Sequence, residues 1–132
     1  MQQAKYVRIY ADADGESHFE DLDVTLVPTD FAPPAPPLNI AGFLPAAQTL
    51  WVGASPGWGG DAMHPAPRRQ VFCTMQGGYE VTASDGELRS FPTGSVLLLE
   101  DTVGKGHSTT IVGDGDALVF AVILAEPAPT TP

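Results

Sequence analysis

A chain of 132 residues with 43% hydrophobic residues has enough apolar material for one compact domain and too little for two independent cores. Its six Lys and Arg residues stand against sixteen Asp and Glu, a net charge of −10 that disfavours binding to nucleic acid and to anionic membrane surfaces. A single cysteine, Cys73, excludes an internal disulfide framework, and no apolar run is long enough for a membrane span or a secretion signal. We therefore expect a cytoplasmic protein.

Glycine and proline divide the chain into short runs of β-type residues. The 14 glycines and 13 prolines follow no periodic repeat, a composition that favours many short strands joined by turns. In the first part of the chain we predict strands at residues 5–10, 24–27 and 49–52. The proline-rich residues 31–37 predict an extended arm, because prolines and the residues before them cannot pair fully in a sheet.

The rest of the chain has a more regular pattern. Residues 84–86, Ser-Asp-Gly, predict a hairpin turn, and residues 125–132 predict a flexible tail. The strands predicted here are 70–76, 79–83, 87–91, 95–99, 107–112 and 117–124. So many short strands at close spacing predict one all-β domain over residues 1–132, built as a sandwich or a small barrel.

A polar segment, HPAPRRQ at residues 64–70, leads into one of these strands. Side chains alternate between the two faces of a strand. If the strand extends back through the prolines, one face carries His64, Ala66, Arg68, Gln70, Phe72 and Thr74. Burying an arginine and a glutamine without partners is costly, so this face either opens into a water-accessible pocket or lies outside. We favour the pocket wall over a solvated strand end.

Residues 59–77 resemble the first motif of the cupins, a family with a small double-sheet jelly-roll fold. That motif has a glycine, a His-x-His pair, a glutamate and a closing glycine. Gly59, His64 and Gly77 match it, whereas Ala66 stands at the second histidine and Gln70 at the glutamate.

Residues 94–107 resemble the second cupin motif, which runs from a glycine through an apolar strand and a proline turn to a histidine. Gly94 and His107 match its two ends, and residues 100–102 replace the proline turn. The resemblance covers residues 57–124. Within the cupins, the chain most resembles a group of small single-domain bacterial proteins. It implies a double-sheet jelly-roll barrel with its core at residues 49–124, preceded by N-terminal strands and a proline-rich arm at residues 1–48.

The resemblance also raises the question of a metal. A cupin metal centre usually presents three histidines and a carboxylate, which suit divalent transition metals. Ala66 has no donor atom, and the neutral amide of Gln70 is a weaker ligand than a carboxylate. We therefore expect no tightly held cofactor. The alternative is a Zn, Fe, Mn or Ni ion on His64, Gln70 and His107, with Glu100 as a further ligand.

Without a metal, the predicted pocket binds its ligand through hydrogen bonds and charge. Arg68 offers a planar fork that suits a carboxylate, and Gln70 both donates and accepts. We expect these two side chains, together with Trp58 and Phe72, to bind a small anionic or carbonyl compound.

Three side chains are candidates for acid/base chemistry in this pocket. His64 and His107 are imidazoles that titrate near neutrality. Glu100 is a candidate general base, since an apolar mouth would raise the pKa of its carboxyl group. Neighbouring residues in a strand point to opposite faces, so at most one of Glu100 and Asp101 enters the pocket if the strand extends that far. These residues favour an enzyme of lyase or isomerase type. The alternatives are a metal-dependent oxygenase and a non-catalytic module that binds a small ligand.

The opposite face of the same strand is apolar as well. It carries Val71, Cys73 and Met75. Such a face needs a cover, either the proline-rich arm or a second subunit. We expect a homodimer.

Overall fold

The computed structural model describes residues 2–126, and this part of the chain is all β, with eleven strands and no helix. Within it, therefore, no helix is long and apolar enough to cross a membrane. The predicted tail is described only at residues 125 and 126; residues 127–132 lie outside the described part. In chain order the strands are β1 Gln3–Ala11, β2 Ser17–Thr25, β3 Val27–Thr29, β4 Leu38–Ile40, β5 Ala46–Ala54, β6 Gln70–Gln76, β7 Gly78–Ala83, β8 Leu88–Pro92, β9 Val96–Leu99, β10 His107–Val112 and β11 Ala117–Leu124.

Sequence patterning located the strands of the second half well. Strands β6, β10 and β11 have the predicted bounds, and β7 and β8 pair as an antiparallel hairpin across the predicted turn. Strand β2 is the main difference, since it begins at Ser17, within an acidic stretch. Its acids lie opposite cations of β1, with Glu20 beside Arg8 and Asp23 beside Lys5. Such cross-strand pairs offset the low strand preference of acidic residues.

The strands form two facing sheets and one small hairpin. The larger sheet has the order β2-β1-β9-β6-β11-β5, the smaller has the order β10-β7-β8, and β3 pairs with β4. Ile9, Leu97 and Val119 of the larger sheet share one buried core with Val81 and Phe91 of the smaller. The two sheets therefore pack face to face. In the described part of the chain they do not close into a barrel, because the three-stranded sheet has no ladder to either edge of the larger one.

One open edge of the smaller sheet, strand β10, is covered by the segment that leads to the polar site. The Ile111 N–H donates to the Trp58 carbonyl at 2.9 Å, and an isolated bridge joins His64 to His107. Gly59 lies so close to the Thr109 backbone that any side chain there would collide with it. This glycine lets residues 58–64 run against the sheet and brings the polar segment to its edge.

The outer face of the larger sheet is apolar, as the sequence predicted. Val71, Leu98 and Leu124 form a second buried cluster there. Leu44 packs on this cluster, and the Phe43 ring lies 5.0 Å from the ring of Tyr6. Residues 31–37 join β3 to β4 and are exposed to solvent, but they turn at residues 32–35, where the Ala35 N–H donates to the Ala32 carbonyl at 2.9 Å, so the segment is not the extended arm that was predicted. The segment just after β4 thus covers part of the face, and the homodimer stays a prediction.

Candidate functional site

A cavity of about 390 Å³ lies between the two sheets. This volume is at the lower end of the roughly 300–1,000 Å³ that is usual for small-molecule sites. Most of its wall is hydrocarbon, supplied by residues that include Val52, Phe72, Val81, Leu97, Ile111 and Val119. The polar part of the lining includes His64, Gln70, His107 and Thr109. The cavity is therefore apolar along most of its wall and carries a small group of hydrogen-bonding side chains.

Two of the predicted histidines meet at this cavity. The backbones of His64 and His107 exchange two hydrogen bonds of 3.0 Å, and their ring centroids are 5.1 Å apart. Gly106 makes the approach feasible, since its φ of +73° and its contact with the His64 backbone both exclude a side chain. The resemblance to the two cupin motifs predicted this meeting of residues that are far apart in sequence.

His107 is paired with a carboxylate that the sequence did not single out. Its Nδ1 lies 2.6 Å from Oδ2 of Asp101, and the two side chains are 4% and 0% exposed. A carboxylate accepts hydrogen bonds only, so the ring donates from Nδ1, and Nε2 is left available to a molecule in the cavity. The other carboxylate oxygen, Oδ1, is buried without a hydrogen-bond partner among residues 2–126. The contact fixes the orientation and tautomer of the imidazole.

Glu100, the carboxylate that the sequence favoured, is held elsewhere. It does not line the cavity; Arg8 Nε donates to Oε1 at 2.6 Å and Arg69 Nε donates to Oε2 at 2.8 Å. Burial alone would raise the pKa of Glu100, but these two arginines outweigh it and the pKa is lowered. This corrects the expectation of a raised pKa at an apolar mouth. Glu100, the residue just after the end of β9, faces the two arginines, whereas the next residue, Asp101, faces His107.

Arg68 also lies outside the cavity. Its guanidinium donates to the Leu124 carbonyl at 3.3 Å and lies 3.8 Å from the carboxylate of Glu126. The strand begins only at Gln70, and the residues before it bend, so the alternation of faces does not extend back to residue 68. The polar group in the cavity therefore lacks the guanidinium that we expected there.

The remaining predicted binding residues do line the cavity. Gln70 is 9% exposed; its side chain makes no hydrogen bond within residues 2–126, and its amide atoms are open to the cavity rather than fully buried. Phe72 is half-buried, and its ring packs edge-on against Tyr79 at 6.4 Å. Trp58 is 56% exposed and contributes to the wall where the loop meets the sheet edge. The structure thus brings together His64, Gln70, His107, Trp58 and Phe72.

The donor atoms at this cavity fit a resident transition metal poorly. The side chains at hand are two imidazoles and one neutral amide, since Ala66 has no donor, Glu100 is bound by arginines and Asp101 is bound to His107. Over residues 2–126, no group of three or more His, Cys, Asp or Glu side chains is arranged to hold a metal ion. The metal-dependent oxygenase stays an untested prediction.

Comparison with known proteins assigns no family to this geometry. No protein-family model matches the chain, and no curated protein matches it in sequence. The resemblance to the cupins therefore depends on the two motifs at residues 59–77 and 94–107.

Proposed function

We propose that this protein is an enzyme of lyase or isomerase type that transfers a proton on a small carbonyl compound, and that its two facing sheets are a cupin-like jelly roll. The buried contact between His107 and Asp101 at the edge of an apolar cavity carries the proposal. An imidazole oriented by a buried carboxylate, with one ring nitrogen free toward a cavity, is suited to general acid/base chemistry.

Each polar side chain has a distinct role in this proposal. His107 removes a proton next to the carbonyl through Nε2, and Asp101 orients the ring. Gln70 donates from its amide to the carbonyl oxygen, where negative charge develops as the proton leaves. His64, with its ring 5.1 Å from that of His107, returns a proton at the second position or to the leaving group. Hydrocarbon walls surround His107 and Gln70, whereas His64 is exposed to solvent at the same cavity.

Proton exchange tests the proposal even while the natural substrate is unidentified. A panel of small ketones, aldehydes and lactones is incubated with the protein in D₂O, and NMR measures deuterium uptake next to the carbonyl. We expect uptake that saturates with substrate concentration. His107→Asn is expected to lower the rate by about 10²–10⁴, the usual contribution of a general acid or base. Asp101→Asn is expected to lower it as well, because the amide no longer holds the ring in the same tautomer.

Glu100→Gln is the matched comparison, because it removes the adjacent carboxylate. We expect a rate within about fivefold of the wild type, since a change of less than about 1 kcal/mol in the barrier changes a rate by less than about fivefold. Equal losses in the Asp101 and Glu100 variants would contradict the assigned roles. Binding of the carbonyl compounds without deuterium uptake would instead favour a non-catalytic module that binds a small ligand.

A further inference from the structure

The cations of this chain are all engaged away from the main cavity. Each of its six Lys and Arg side chains lies within 4 Å of an Asp or Glu carboxylate, and none of the six lines the cavity in the described range. Lys105, the cation nearest to His107 in sequence, is paired with Glu16. No fixed positive charge is therefore available to bind an anion there.

The charge that does contact the polar group is negative. The Asp101 carboxylate hydrogen-bonds the back of the His107 ring and is fully buried. The chain as a whole carries a net charge of −10. An anionic ligand would lose its hydration among hydrocarbon walls and gain no ion pair in exchange, so the cavity disfavours it.

The amide of Gln70 supplies the positive evidence for a ligand. Only 9% of the residue is exposed, it lines the cavity, and its side chain makes no hydrogen bond within residues 2–126; its amide atoms are open to the cavity and are not among the fully buried atoms without a partner. A polar group that faces a mainly apolar cavity and has no protein partner gains a hydrogen bond from a polar atom that a ligand brings in. A carbonyl oxygen accepts the amide N–H without bringing a charge.

We infer that the cavity selects a neutral carbonyl compound with a compact hydrocarbon body over an anion of the same shape. The oxygen lies at the Gln70 amide, the carbon that carries the exchangeable proton lies at His107 Nε2, and the body lies against the apolar walls. This inference names the substrate class of the site and rests on the proposed function for where the reaction occurs. It replaces the choice between anionic and carbonyl compounds that the sequence left open.

Three probes of one carbon skeleton test the inference: cyclohexanone, cyclohexanecarboxylate and cyclohexylamine. The protein is the full chain with Trp51→Phe, which leaves Trp58 at the cavity as the single tryptophan; Trp51 itself packs on Phe120 away from the cavity lining. Trp58 fluorescence reports binding. We expect the ketone to bind at least about tenfold more tightly than either charged probe, since each tenfold step equals only 1.4 kcal/mol.

A pair of variants on one strand locates the hydrogen bond. Gln70→Leu is expected to weaken ketone binding about tenfold, whereas Gln76→Leu, at the exposed end of the same strand, changes it less than twofold. The affinities of the three probes are ranked on the chain without either substitution at residue 70 or 76. Tighter binding of the carboxylate, an unaltered Gln70→Leu affinity, or no binding of the ketone up to about 10 mM each overturns the inference. The fluorescence assay measures binding and not turnover. Ketone binding without deuterium uptake would therefore refute the proposed function but not this inference.

Discussion

Two histidines of this chain contact aspartates, and the difference between them shows what makes a site. His107 is 3% exposed, uses Nδ1 for Asp101 and keeps Nε2 for the cavity. His18 lies at the surface and uses both ring nitrogens, Nε2 for Asp12 at 2.7 Å and Nδ1 for Asp85 at 2.9 Å. The same two residue types are paired in both places, but His107 keeps one ring nitrogen available for chemistry, whereas His18 keeps none.

The exposed His18 cluster has a structural role that reaches the cavity. It joins the turn before β2 to the turn between β7 and β8. The chain next to His18 also supports the loop that carries the site: Ser17 Oγ donates to the Gly106 carbonyl at 2.7 Å, and the Lys105 N–H donates to the Gly15 carbonyl at 2.9 Å. The turn and the strand start beside His18 thus hold the loop that precedes His107.

The largest expected effect is a difference in protein stability between variants of the two histidines. His107→Leu leaves the Asp101 carboxylate buried without any hydrogen-bond partner, and we expect it to lower the free energy of unfolding by about 3–5 kcal/mol. His18→Leu leaves two partly solvated aspartates, so its effect on the free energy of unfolding should be much smaller. Urea denaturation measures both. The double variant His107→Leu/Asp101→Leu should regain much of the stability that His107→Leu loses. Equal losses of stability in His107→Leu and His18→Leu would contradict the difference drawn between the two histidines.

An intermediate effect tests how His64 is held beside His107. Gly106→Ala and Gly86→Ala both place a side chain at positive φ, but only the Gly106 side chain would meet the His64 backbone. We expect Gly106→Ala to be the less stable variant by about 1–3 kcal/mol, the usual cost of overpacking. It should also slow deuterium uptake, since His64 is displaced from His107. Equal Tm values and equal rates of deuterium uptake for the two variants would contradict this expectation.

The smallest expected effect is a pH dependence of stability at His18. Its hydrogen bond to Asp12, followed by that to Asp85, raises the pKa of His18 above its ordinary value of 6.5, and burial offsets only part of this. A group with a raised folded-state pKa stabilises fully below pH 6.5 and loses this contribution as the pH rises through the folded-state pKa. The Tm of the wild type should therefore fall over that range more than the Tm of His18→Gln. Parallel Tm curves would show that the cluster contributes nothing.

Much of the fold was readable from local sequence. Alternating apolar residues between glycine and proline turns placed β6, β10 and β11 at their observed bounds. These signals are local because the pleat and the turn both depend on residues only a few positions apart. The start of β2 could not be read in this way, since its acidic residues are stabilised by cations on the neighbouring strand.

The candidate site was predictable only where motif spacing could be used. His64, Gln70 and His107 line the cavity as expected, but Glu100 and Arg68 do not. The sequence indicated that at most one of the two adjacent carboxylates would face inward, and the choice of Glu100 was wrong, since Asp101 is the one that contacts His107. Arg8, which binds Glu100, is 92 residues away along the chain, and the position where β9 ends decides that Asp101 reaches His107.

The sequence by itself determined an all-β chain, its turns and the set of polar residues from which a site is built, because side-chain alternation and backbone preferences act over a few residues. Only the tertiary structure decided which of those residues share the cavity and which are bound by distant partners of opposite charge. Electrostatic pairing and burial depend on groups that meet through space, and no pattern within a single strand contains that information.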